Sequence, residues 1–132
     1  MQGFYKLAAL VLLLFNGIGA IYGGYLFIAA PDGSLMHMPL SFLEHSPFTS
    51  FLIPGIILFI FNGIFSLFIS VCLLLRIKRY PLMIILQGVI LLIWITVQIA
   101  MIRNYDAVLH TTFLVVGILF IFLGRKLQCN AV

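Results

Sequence analysis

Four long apolar blocks limit what this chain can become. They run from about Leu7 to Ala29, Phe51 to Leu75, Leu82 to Ile102 and Ala107 to Leu123. A helix needs about 20 predominantly apolar residues to cross a hydrocarbon core of roughly 30 Å. The first three blocks reach that length. The fourth has about 17 residues, or roughly 25 Å of helix, and reads as a marginal span. The apolar residues form near-continuous runs with no strand-like alternation, the pattern of helices solvated by lipid. The expected fold is all-α, a transmembrane four-helix bundle.

Composition agrees with this. Hydrophobic residues make up 64% of the chain and charged residues only 8%, against about 25% charged in a soluble domain. Four spans and short connections use nearly all of the 132 residues, so residues 1–132 form a single membrane domain with no separate catalytic unit. The formal charge of +4 is divided into small groups at the block ends. That is a topology signal and not a phosphate-binding stripe, so nucleic acid is not an expected partner. Cys72 falls inside a block and Cys129 in the polar tail, and both read as free thiols. Lys6 ahead of Leu7–Phe15 imitates a signal peptide, but the run continues to Ala29 without a small-x-small cleavage site. A retained first helix is expected.

Orientation follows from charge. Lys6, Arg76, Lys78, Arg79, Arg125 and Lys126 all fall on one side of the layout, and only Arg103 on the other. The positive-inside rule places both termini and the Arg76–Pro81 turn in the cytoplasm. Asp32, Glu44, Asp106, His37, His45 and His110 then all belong to the outer side. The outer connection, Pro31 to Ser50, carries Leu35, Met36, Met38, Leu40, Phe42 and Leu43 and is expected to lie in the interface as an apolar loop or lid. Ser46-Pro47 reads as a helix start, with a kink expected at Pro54-Gly55.

Polar residues inside the spans mark the inward faces, because amides in hydrocarbon need partners. Asn16 and Asn62, near mid-span on antiparallel neighbours, are placed to bond each other. Helical spacing groups Ala9, Asn16, Ala20 and Gly23 on the first block, and Gly55, Asn62, Ser66 and Ser70 on the second. It groups Gln87, Trp94 and Gln98 on the third, and His110, Gly117 and Gly124 on the fourth. Two uses are open: tight helix packing, or a wet cleft holding a ligand in the outer half. Gly19-x-x-x-Gly23 and Ala20-x-x-x-Gly24 also suit a dimer seam. Asn16-Gly17, Asn62-Gly63, Gln87-Gly88 and Val116-Gly117 form a weak echo, too short to establish a duplication.

A second group lies at the outer mouth: His37, Glu44, His45, Arg103, Asp106 and His110. Such types can bind a metal or supply an acid, a base and an anion clamp. Their spacing matches no zinc or hydrolase motif, and Arg103 and Asp106 fit a simple surface ion pair. No metal site and no cofactor is expected. No ionisable residue lies deep in a span, which argues against a proton-coupled pump and a transmembrane haem. The binding candidates are Asn16, Asn62, Gln87, Trp94, Gln98, His110, Glu44, Arg103 and Asp106, with no catalytic residue.

Pro31-Asp32-Gly33-Ser34, Pro39-Leu40, Ser46-Pro47-Phe48, Ile53-Pro54-Gly55, Asn62-Gly63, Gln87-Gly88 and Trp94 to Gln98 together resemble a family of small bacterial four-helix integral membrane proteins. The family has no established activity, so the resemblance implies a bacterial cytoplasmic membrane and no catalytic residue. His37 and His45 depart from it, standing where small residues are expected.

Three functions compete. The first is binding or moving a lipid-like or apolar small molecule through an outward-facing cleft. The second is an interaction or assembly subunit of a larger membrane complex. The third is a membrane enzyme with its site at the outer mouth, towards which the motifs lean least. The expected partners are membrane lipids and either a second copy or another membrane protein.

Overall fold

The computed structural model describes residues 2–36, 47, 49–102 and 107–130. Helix α1 spans Gln2–Ala29 and α3 spans Tyr80–Ile102. Between them α2, Leu52–Leu74, begins and ends as α-helix with a π-helical stretch over Leu58–Ile64. Helix α4 spans Ala107–Asn130. All four contain stretches long and apolar enough to cross a membrane, and no strand occurs among the described residues.

Three boundaries differ from the sequence expectation, the first being α1, which begins at Gln2 and not near Leu7. Helix α4 does not end at Leu123. Its 24 residues continue through Arg125 and Lys126 to Asn130, about 36 Å, because Leu127 is fully buried in the core and holds the extra turn. Helix α2 begins at Leu52 and not near Pro47, which lies in an exposed bend. The Phe51 N–H donates to Pro31 O at 2.8 Å, and the Phe51 ring stacks on Phe27 at 4.9 Å. This clasp fixes the base of the α1–α2 connection and sets where the helix can start. Pro54 therefore stands in the first helical turn, where a missing N–H costs no helical bond. The irregularity comes one turn later, as the π stretch, and the Phe65 N–H donates to Ile60 O across it.

The bundle consists of two hairpins, α1–α2 and α3–α4, each closed by glycines. A Cβ on Gly24 would lie 2.8 Å from Gly55 O, and one on Gly17 3.2 Å from Gly63 O. In the second hairpin a Cβ on Gly88 would lie 2.7 Å from Gly117 O, and one on Gly124 2.9 Å from Pro81 O. Only glycine allows these backbones to approach so closely. The hairpins meet along α1–α4 and α2–α3, around a core of Leu13, Ile69, Ile84, Leu91, Phe120 and Leu127. The seam drawn from Gly19-x-x-x-Gly23 and Ala20-x-x-x-Gly24 is thus divided. Ala20, Gly23 and Gly24 are buried inside the molecule, while Gly19 faces outward with nothing near its Cβ position.

The turn between the hairpins closes α2 by a Schellman motif. The Ile77 N–H donates to Cys72 O at 3.0 Å and the Arg76 N–H to Leu73 O at 3.2 Å. Arg76 occupies the left-handed position with φ 57°, where glycine is usual. Pro81 then falls in the first turn of α3.

Candidate functional site

Each inner face carries its mid-span polar residue into one cluster. On α1 the buried stripe is Ala9, Leu13, Asn16, Ala20, Gly23 and Phe27, spaced alternately four and three apart. On α2, Gly55, Asn62, Ser66 and Ser70 are all buried, as their spacing indicated. The third stripe differs from expectation. It runs through Ile84, Gln87, Leu91 and Ile95, which leaves Trp94 and Gln98 half-buried at its edge. Trp94 sits on the flank of the line that Ile84 and Leu91 define, whereas Gln98 is close to that line in phase and is half-buried near the far end of α3.

The cluster is a continuous hydrogen-bonded network. Asn16 Nδ2 donates to Ser66 Oγ at 2.9 Å and to the backbone oxygen of Asn62 at 3.3 Å. The Ser66 hydroxyl donates to Gln87 Oε1 at 2.8 Å, and Gln87 Nε2 donates to Asn62 Oδ1 at 3.2 Å. Ser70 Oγ donates back to Ser66 O at 3.0 Å. The two asparagines therefore meet through a main-chain carbonyl and through Ser66, and not amide to amide as their spacing alone suggested. Asn62 Nδ2 is buried with no hydrogen-bond partner, a cost of roughly 1–3 kcal/mol for an amide donor.

The network is shut. Asn16 is 1% exposed, and Asn62, Ser66 and Gln87 are 0%. It also joins the hairpins: Gln87 on α3 reaches both Asn62 and Ser66 on α2. The hairpins themselves close by glycine contact, so Gln87 acts as a polar latch between two apolar units. In hydrocarbon such a latch fixes depth and register, because any slip leaves amides without partners.

Its chemistry is limited. The Ser66 hydroxyl bonds the Asn16 amide and the Gln87 side-chain oxygen, neither of which is a base that could draw off its proton, as a nucleophile requires. No group of three or more His, Cys, Asp or Glu able to hold a metal occurs among the described residues.

Of the nine candidate residues, the structure joins three, Asn16, Asn62 and Gln87. His110 is 4% exposed on α4, ten residues before Phe120 and well outward of the network. Glu44, Arg103 and Asp106 lie outside the described residues, as do His37 and His45. Ser66, the hub, was not among the nine. Its signal was present in the four-residue spacing from Asn62 to Ser66 to Ser70, but serine in a span commonly bonds its own helix. The α1–α2 connection is described as far as Met36, and again at 47 and 49–51. There Asp32 Oδ1 accepts the Ser34 N–H at 3.0 Å, which holds the exposed Asp32 carboxyl below the usual carboxylate range.

Fold and network together define a multi-pass helical membrane protein built from two latched hairpins. No family model, no curated protein and no solved structure matches the chain.

Proposed function

We propose that this chain is an interaction or assembly subunit of a larger membrane complex, resident in a bacterial cytoplasmic membrane with both termini on the cytoplasmic side. The observation that carries this reading is the closed interior. Asn16, Asn62, Ser66, Ser70 and Gln87 all bond within the bundle, and the groups that a ligand cleft would present there are at most 4% exposed. What remains for contact is the outward surface. On α1 it is aromatic, with Phe15, Tyr22 and Tyr25 at least half exposed around the open Gly19. Small residues beside large ones on a lipid-facing helix suit close approach by another helix.

The placement of the helices across a bilayer draws support from the aromatic belts. Tyr5 and Tyr80 lie beside Lys6 at one end. Tyr22 and Tyr25 are exposed 17 and 20 residues further along α1, about 26–30 Å away, which is one hydrocarbon thickness.

A second reading, an outward cleft for a lipid-like molecule, is favoured by Trp94 and Gln98 alone. They are half-buried above the sealed level, so such a cleft would occupy only the outer half. An enzyme at the outer mouth draws no support from the described residues.

The test is native mass measurement of the full chain extracted in mild detergent. An interaction subunit gives an assembly with a second polypeptide at fixed ratio to the 14.8 kDa chain. A lone protomer carrying only lipid refutes the subunit reading and favours the cleft.

A further inference from the structure

The two hairpins repeat each other's contacts at mid-depth. In the first, a Cβ on Gly17 would meet the Leu67 side chain at 3.0 Å and Gly63 O at 3.2 Å, and one on Gly63 would meet Ile21 at 2.6 Å. In the second, a Cβ on Gly88 would meet Gly117 O at 2.7 Å and Ile121 at 2.9 Å, and one on Gly117 would meet Leu92 at 2.8 Å. In both hairpins each glycine meets the residue four positions after its partner glycine. Laying Gly17 on Gly88 and Gly63 on Gly117 fixes the correspondence, and burial then follows with nothing left to adjust. Leu13, Asn16 and Ala20 of α1 fall on Ile84, Gln87 and Leu91 of α3. Ser66, Ile69 and Leu73 of α2 fall on Phe120, Leu123 and Leu127 of α4, and all of these side chains are buried. Depth agrees independently, since Asn16 and Gln87 both bond Ser66. Exchanging the hairpins also turns the α1–α4 seam into the α3–α2 seam, the two seams along which they meet.

We infer that the chain is a tandem of two equivalent hairpins, related by an approximate twofold axis along the membrane normal, in which Phe61 is a single inserted residue held by the π stretch. Gly55 and Gly63 are eight positions apart across that stretch, whereas the buried His110 and Gly117 are seven apart in plain α-helix. Seven residues of α-helix return to within about 20° of the starting face, and eight overshoot it by about 80°. The wider π turn takes up the excess, so Gly55 and Gly63 both stay packed against α1. Omitting Phe61 lays Ile60 on Val115, both exposed, and Gly55 on His110, both buried. Phe61 itself points outward at 51% exposure, and the Phe65 N–H reaches past it to Ile60 O. The equivalence accounts for the burial of His110, which stands where Gly55 stands in the first copy. Away from mid-depth the copies have diverged, with a second glycine crossing at Gly24–Gly55 in one and at Gly124–Pro81 in the other. The partner that each hairpin's inner face fits is thus a second hairpin of its own kind.

The experiment deletes Phe61 from the full chain and follows unfolding by sodium dodecyl sulfate in mixed micelles. Removing one residue from a packed span ordinarily turns half of it by about 100° and takes its buried face out of the core. Deletion of Phe61 is instead expected to keep a cooperative transition, with a midpoint no lower than that of Gly24→Ala in the complete chain. Deletion of Val115, similarly exposed on α4, is expected to abolish the transition, because α4 has no residue to spare. Two substitutions report whether both halves of α2 keep their faces. Gly24→Ala acts against Gly55 on one side of Phe61, and Gln87→Leu acts on Ser66 on the other. Each should still lower the midpoint in the chain lacking Phe61. Loss of the transition on deleting Phe61, its survival on deleting Val115, or silence of either substitution in the shortened chain overturns the tandem.

Discussion

Replacing Gln87 with leucine keeps the volume of the side chain and removes the latch. Two bonds disappear, one from the Ser66 hydroxyl at 2.8 Å and one to Asn62 Oδ1 at 3.2 Å. Interhelical hydrogen bonds in membranes contribute about 0.6 kcal/mol each on average and at most about 1.7. The pair therefore accounts for about 1–3 kcal/mol. Asn62 would then keep no partner for either side-chain atom, its Nδ2 having none already, which places the expected loss in the upper half of that range. Unfolding by sodium dodecyl sulfate titration in mixed micelles reads the difference, with Leu86→Ala, at a position 49% exposed to lipid, as the control. The stronger statement concerns coupling. Ser66→Ala should cost a similar amount alone, yet the double variant S66A/Q87L should cost less than the sum of the two by about 0.5 kcal/mol or more, because each single change already breaks the shared bond. A loss below about 0.5 kcal/mol for Gln87→Leu, or strict additivity in the cycle, would refute the latch.

Four further outcomes follow from the structure. Gly24→Ala and Gly88→Ala place a methyl against a facing backbone oxygen at 2.8 and 2.7 Å and should each lower stability by about 1–3 kcal/mol in the same titration. Gly19→Ala meets nothing within 4 Å and should raise it by up to about 1 kcal/mol. Arg76→Gly relieves a left-handed φ of 57° and should stabilise the fold by about 1 kcal/mol. The Asp32 carboxyl, held by the Ser34 N–H, should titrate below an unstructured aspartate when followed by NMR. Its small contribution is then present above the ordinary carboxylate range and lost as pH falls through the depressed midpoint.

The sequence made the spans legible because lipid enforces long apolar runs, and it made the inner faces of α1 and α2 legible because Asn16 and Asn62 cannot face hydrocarbon. It was less informative where packing decides. Leu127 extends α4 past two cationic residues that read as the end of a span. The Phe27–Phe51 stack and the Pro31 carbonyl set the start of α2, and a motif centred on Ser46-Pro47 carries no trace of that contact. The π stretch has no local signal at all. The glycine pairs are instructive in another way. Gly24 with Gly55, and Gly88 with Gly117, lie in separate spans, so their reciprocity appears only once antiparallel register is known. Spacing draws Trp94, seven residues after Gln87, and Gln98, four after Trp94, onto the inner line. The true line passes through Ile84 and Leu91, which polarity alone does not distinguish from lipid-facing residues.

The sealed interior is tested most directly by thiol labelling in intact membranes. In a background lacking Cys72 and Cys129, Ser66→Cys places a small thiol at the hub of the network, and Arg79→Cys places one on the exposed turn. With membrane-permeant N-ethylmaleimide, the thiol at position 79 should react to completion while that at position 66 stays unmodified until the protein is unfolded in sodium dodecyl sulfate. Comparable labelling of both in the folded protein would mean that water reaches the network, and the cleft would replace the latch as the reading of this bundle.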